Sequence, residues 1–222
     1  MNVSDVLEWL IENGTDQERA KLSRYGIPDE RAHGISVGTL KKLARRIGRN
    51  HDLAVGLWDT GWYEARMLAA FVDAPDRVTA AQMDAWTYDF DSWAICDTTC
   101  FHLFDRTQFA WAKVEPWSAA PEEFVRRAAY ALIWALSAHA KDAPDARFLR
   151  ALDIIEHAEP DPRPLVKKAV DMALRATGKR NPALNRAALE VAERLAGSDA
   201  PDKAWIGRHA GRELLEAKVR SR

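Results

Sequence analysis

Cysteine is scarce in this sequence: two in 222 residues, Cys96 and Cys100. One helical turn apart, their side chains point the same way and cannot easily adopt disulfide geometry. We read both as reduced, buried and inert. A tetrahedral metal site needs more than two thiols. His102 is near in sequence, but no second cluster of Cys or His completes the set, so neither metal nor cofactor is expected. Long apolar runs are missing too. Stretches such as 128–136 are far shorter than a bilayer span, and no charged-then-apolar leader opens the chain. The expectation is a soluble cytoplasmic protein with no membrane partner. Net charge is only −1, so the whole molecule exerts no pull on polyanions, and distribution matters more than the sum. Segments that alternate apolar and polar residues in the manner of a strand are also missing. An all-α chain follows, with 47% hydrophobic residues ample for a core.

What is present is helical periodicity. Val3, Val6, Leu7, Leu10 and Ile11 share one helix face, ended by Asn13-Gly14, residues that accept a left-handed conformation. A short helix over 17–24 precedes an irregular connection to an N-cap at Ser36. There Leu40, Leu43, Ala44 and Ile47 form an apolar face opposite Lys41, Lys42, Arg45, Arg46 and Arg49, a block more usually solvated than binding. Helices are predicted over 52–58, 62–72, 79–90, 92–104 and 107–117, with a capping box from Thr79 to Gln82 and a stop near Pro116. Pro121-Glu122-Glu123 opens the next helix. Further ones cover 146–157, the segment after the proline-rich link 160–164, 181–196 and 202–219. Helix pairs recur roughly every 30 to 45 residues without a strict signature, which suggests a degenerate helical-repeat solenoid. A globular bundle is the structural alternative.

Two buried stripes are interrupted by charge. Trp93, Cys96, Cys100 and Phe104 share a face with Asp97, and the Asp97 carboxylate stacks beside the Trp93 indole four residues away. Arg127 falls on the apolar face of Phe124, Ala128, Ala131, Leu132 and Ala135, while Arg126 points aside. A charge on an apolar stripe costs free energy unless it is paired, so the bland account of Asp97 and Arg127 is a buried ion pair and the sharper one a shared site. Later in the chain Lys168, Met172, Arg175 and Lys179 form a cationic stripe, beside a core face of Val166, Ala169, Val170, Ala173 and Leu174. Plain solubility is the alternative to phosphate binding there.

Several stretches, in order, resemble the DNA alkylation repair family of HEAT-like-repeat DNA glycosylases. They are Gly34-Ile35-Ser36-Val37-Gly38-Thr39-Leu40, Leu57-Trp58-Asp59-Thr60-Gly61, Tyr63-Glu64-Ala65-Arg66-Met67-Leu68-Ala69, Asp91-Ser92-Trp93 to Asp97, Phe124-Val125-Arg126-Arg127-Ala128, and Val166-Lys167-Lys168-Ala169-Val170 through Gly178-Lys179-Arg180-Asn181-Pro182. The resemblance implies one HEAT-like-repeat domain over residues 1–222, a C-shaped stack of helix pairs gripping duplex DNA in a basic concavity. It also implies an enzyme that removes cationic N3- or N7-alkylated purines without enclosing the base, and a monomer is expected. Asp97, Trp93 and Arg127 take the catalytic places: the carboxylate opposes charge on the sugar, the indole face favours a cation, and the guanidinium holds a phosphate. Met172, Lys168, Arg175, Lys179, Arg126 and Lys167 are the expected DNA contacts. One departure stands out. Where the family pattern has a second tryptophan after the Lys-Ala-Val segment, this chain has Met172, which lacks a π face for a cation. A non-catalytic helical-repeat module that binds DNA or a protein is the alternative function.

Overall fold

Most helices in the computed structural model, which describes residues 1–217, begin on a side chain that accepts an otherwise unpaired backbone N–H. Asn2 and Asp5 form a reciprocal capping box at 3.0 and 2.9 Å. Thr15, Ser36, Asn50, Thr79, Ser92 and Asn181 each cap the helix that follows them. Thirteen α-helices and one 3₁₀ turn result, with no strand among the described residues, so the chain is all-α as its periodicity predicts. It divides into two compact units, from Met1 to Phe109 and from Ala110 onward.

The first unit holds α1 (Val3–Asn13), α2 (Asp16–Arg24), α3 (Val37–Ile47), α4 (His51–Asp59), α5 (Tyr63–Val72), α6 (Ala80–Tyr88), α7 (Trp93–His102) and the 3₁₀ turn Phe104–Arg106. Helix α5 packs against α1, α3, α4 and α7, which is why nearly all of it is buried. Behind it the Trp58 and Trp86 rings stack at 4.0 Å, 2° from parallel, and the Trp58 indole donates to Asp89 at 2.9 Å. An aromatic pair of this kind adds about 1 kcal/mol to the burial of its area.

The second unit holds α8 (Ala110–Ser118), α9 (Glu123–His139), α10 (Asp145–His157), α11 (Pro164–Gly178), α12 (Pro182–Ala196) and α13 (Pro201–Glu216). Helix α11 is its hub, packing against α9, α10, α12 and α13 through Val166, Ala169, Val170, Ala173 and Leu174, all buried as their spacing predicts. Val219, the predicted end of the last helix, lies outside the described residues.

Four local expectations need correction. Gly14 is not left-handed but extended, φ −72° and ψ 151°. A Cβ there would sit 2.3 Å from the His33 carbonyl oxygen, so close approach rather than handedness calls for glycine. Thr79 caps α6, but the Gln82 side chain donates to Asp73 at 2.7 Å instead of returning to the cap, leaving half a capping box. Pro116 lies inside α8, which continues to Ser118; one missing N–H in a final turn removes a single helical bond and does not end it. Helix α7 stops at His102, and Phe104 enters the 3₁₀ turn instead of extending the helical stripe.

Candidate functional site

Helices α3, α5 and α7 run side by side in one direction, and each begins with a residue that faces the same space. Val37, Tyr63 and Trp93, the first residues of the three helices, line a cavity of about 290 Å³. Ile35 and Ser36 border it ahead of α3, Met67 and Asp97 from the second turns of α5 and α7, and Glu18, Leu22 and Tyr25 from the segment of α2. Asp97 and Trp93, brought onto one face by their four-residue spacing, therefore meet at this cavity. Both are half-buried, whereas Cys96 and Cys100 on the inner side of α7 are fully buried. The shared stripe read from the sequence splits in two: the thiols face the core, the acid and the indole face the cavity.

The Trp93 ring is held in one orientation, its indole N–H donating to the Tyr25 carbonyl at 2.9 Å across 68 residues of sequence. Tyr63 is 8% exposed; burial, then the nearby Glu64 and Asp91 charges, push its hydroxyl up to about 12. It stays protonated at neutral pH and offers the cavity an uncharged donor. The Cys100 thiol is pushed up by burial and then by its hydrogen bond with Cys96, which keeps it un-ionised and inert.

The loop that forms this rim is fixed from inside. Glu64 is fully buried, and its carboxylate accepts the backbone N–H groups of His33, Gly34 and Ile35 at 2.9, 2.7 and 3.2 Å. Gly34 itself has φ +83°, and a Cβ on it would meet the Thr15 carbonyl oxygen at 2.1 Å. Sequence reasoning missed Tyr25, Tyr63 and α2 as parts of the site. The usable signal was register: Tyr63 stands at the first position of its helix, as Trp93 does.

Arg127 is 3% exposed and donates to the Leu165 carbonyl at 2.6 Å. Arg126 pairs with Asp161 at 3.0 Å and donates to the Ala120 carbonyl at 2.8 Å. Along α11, Lys168 is exposed and Met172 half-buried. Arg175 bonds Asp171 at 2.9 Å and pairs with Glu213, which also takes Lys179. Lys167 lies over the Trp205 ring at 4.7 Å, and that ring stacks on His209, whose Nδ1 is 2.8 Å from Asp171. The cationic stripe of α11 is thus interleaved with the carboxylates Asp171 and Glu213. No helix among the described residues is long and apolar enough to cross a membrane.

A sequence model described as DNA alkylation repair enzyme matches residues 6–214. The uncharacterized protein Lin0241 of Listeria innocua serovar 6a is 32% identical over 74 residues, 32% of this chain and 33% of that protein. Lmo0209 of Listeria monocytogenes serovar 1/2a is 31% identical over a stretch of the same length. The matched region thus spans about a third of either relative. Among solved structures, one described as a new family of proteins related to the HEAT-like repeat DNA glycosylases with affinity for branched DNA structures superposes with a TM-score of 0.74. It is 20% identical, and the match covers 98% of this chain and 97% of that one. The fold is therefore HEAT-like.

Proposed function

The chain belongs to the DNA alkylation repair family, and from that premise we propose that it is a DNA glycosylase releasing cationic N3- or N7-alkylated purines from duplex DNA. The observation that carries this reading is the meeting of Asp97, Trp93 and an un-ionised Tyr63 at one cavity.

Alkylation at a ring nitrogen leaves the purine positively charged, so the glycosidic bond is already weak and leaving-group protonation is not needed. As that bond breaks, its electron pair moves into the ring and neutralises the purine, while positive charge appears on the deoxyribose. The Asp97 carboxylate opposes that charge and takes the proton of the water that attacks the anomeric carbon. Trp93, locked by its bond to Tyr25, presents an indole to the cationic sugar. Tyr63 donates to an oxygen of the backbone. One preorganised electrostatic group of this type contributes about 3 kcal/mol to the barrier, or 10² to 10³ in rate.

In this reading Arg127 holds a backbone phosphate, which requires its guanidinium to exchange a protein partner such as the Leu165 carbonyl. Lys168 reaches DNA directly. Lys167, Arg175, Lys179 and Arg126 do so by releasing Trp205, Glu213 and Asp161, and Met172 packs against a sugar. The test is release of N7-methylguanine and N3-methyladenine from alkylated duplex DNA. Release above the spontaneous rate that disappears in Asp97→Asn supports the proposal; no release by the wild type ends it.

A second reading is favoured by Met172 and by the solved relative's affinity for branched DNA: a module that binds DNA junctions without cleaving a base. It predicts tighter binding to a four-way junction than to a duplex of equal length, with no base release.

A further inference from the structure

Several cations of this protein are engaged within the fold. Arg66, Arg77, Arg126, Arg150, Arg163, Arg175, Lys179 and Arg194 all pair with carboxylates. Helix α3 carries a cluster of cations that are not so engaged. Lys41, Lys42, Arg45 and Arg46 are exposed, and none has an ion pair among the described residues. Two of them border a cleft. At the last turns of α3, α5 and α7, on the opposite end of the same three helices from the Asp97 cavity, lies an open space of about 390 Å³. It is lined by Lys41, Arg45, Arg49, Phe71 and His102, with Ala44 and Gly48 completing the wall and no carboxylate among them.

The cleft is built rather than incidental. Phe71 forms its floor, with the Lys41 ammonium 5.4 Å from the ring centroid and His102 edge-on at 4.9 Å. Arg49 is anchored by donating to the Phe71 and Asp73 carbonyls at 3.1 and 2.5 Å, so part of its charge offsets the carbonyl end of α5. Burial, and then the Arg106 charge, hold the Arg49 guanidinium below its ordinary value against the Asp73 carboxylate. The Asp73 side chain is itself turned away, engaged with His51, Gln82 and the Ala74 N–H. Like charges gathered around a low-polarity floor, in a cleft lined by no carboxylate, raise the free energy of the unliganded protein. A polyanion relieves that cost.

We infer that this cleft holds phosphodiester groups of the DNA backbone, Lys41 and Arg45 making the ionic contacts, Arg49 and His102 the inner wall. The inference rests on the proposed DNA reading and deepens it: it moves the main electrostatic grip from the α11 stripe, where carboxylates interleave, to the carboxyl ends of α3, α5 and α7. The helical block that looks like a solvated face in the sequence becomes a contact surface.

The test is fluorescence anisotropy with a labelled duplex and a labelled four-way junction, across a range of KCl concentrations. It compares wild type with Lys41→Gln/Arg45→Gln and, as a control, with Arg186→Gln, an exposed cation of the second unit outside the proposed contacts. Both cleft residues are exposed, so the double variant should melt with the wild type. Each phosphate contact contributes about 0.9 to the slope of log affinity against log salt. The double variant should therefore flatten that slope by about 2 and weaken binding at least tenfold at moderate salt. A wild-type slope retained in the double variant overturns the cleft while leaving DNA binding intact. Absence of any binding by the wild type overturns both readings together.

Discussion

Replacing Glu64 probes the frame of the site without touching its chemistry. The carboxylate is fully buried and receives three backbone N–H groups from 33–35, the turn that delivers Ile35, Ser36 and Val37 to the cavity rim. In Glu64→Gln one amide oxygen can still accept from Gly34 and Ile35. The amide nitrogen then faces the His33 N–H, so one buried donor meets another whichever way the side chain turns. Losing one charge-assisted bond and leaving a donor unsatisfied costs about 2–3 kcal/mol. Glu64→Ala strands all three donors and opens a void, for about 4–5 kcal/mol. At this chain length each kcal/mol lowers the melting temperature by roughly 2–4 °C, so the glutamine variant should melt about 4–12 °C below wild type and the alanine variant lower still. Thermal circular dichroism with urea titration of tryptophan fluorescence measures both. A glutamine variant melting within a degree of wild type would refute the reasoning, because it would mean that these N–H groups have water or other partners to fall back on.

Gly34→Ala should cost at least 2 kcal/mol, since φ +83° and a Cβ 2.1 Å from the Thr15 carbonyl oxygen force the backbone to move; unchanged stability in the same melts counts against it. Trp93→Phe keeps an aromatic face but loses the bond to the Tyr25 carbonyl, so base release should slow about tenfold, less than the 10² or more expected for Asp97→Asn; single-turnover release kinetics rank the two, and equal losses would remove the locking bond from the account. Acid stability should report Asp161. Burial pushes that carboxyl up, but its hydrogen bonds from Arg163 and the Arg163 and Arg126 charges prevail and hold it below the usual carboxylate range. A depressed folded value stabilises above the unfolded value of about 4 and is lost as pH falls through the folded one. The stability gap between wild type and Asp161→Asn should therefore be full at pH 6–7 and close progressively below about pH 4, and a pH-independent gap in urea titrations would be the contrary result.

Helix existence and the core faces were legible because periodicity and capping are local. Ser36, Ser92 and Asn181 cap where a hydroxyl or amide precedes an apolar run, and the Val166 to Leu174 face is buried as its spacing requires. What failed locally failed where a distant partner decides. Gly14 is set by His33, nineteen residues on, and Gln82 is drawn from its cap by Asp73. The segments that carry the family resemblance show the same thing from the other side. Glu64 and Gly34-Ile35 lie in separate matching stretches and bind each other. Arg180, in another, donates to the Ser137 and Ala140 carbonyls at the end of α9. Much of the signal that carried the resemblance is thus scaffold in this chain, fixing a loop and a helix end whatever chemistry the protein performs.

The candidate site was half legible for a related reason. Asp97 and Trp93 stand four apart on one helix, a relation that sequence spacing contains. Tyr63 and Tyr25 join them only because α5 and α7 run side by side and the end of α2 folds over Trp93, relations between elements that no spacing encodes. Charge is the harder case. Lys168, Arg175 and Lys179 and the Lys41 to Arg49 block read alike along the chain, as basic residues at helical intervals. Asp171 and Glu213 engage Arg175 and Lys179 of the first stripe, Glu213 from 34 and 38 residues away, while Lys41 and Arg45 of α3 border a cleft lined by no carboxylate. Compensation is a tertiary property, so a count of positive residues ranks the two stripes equally, whereas ion pairs set Arg175 and Lys179 apart from Lys41 and Arg45. Affinity for a polyanion follows the charge left over after folding, and it is on that ground that we turn to the α3 cleft.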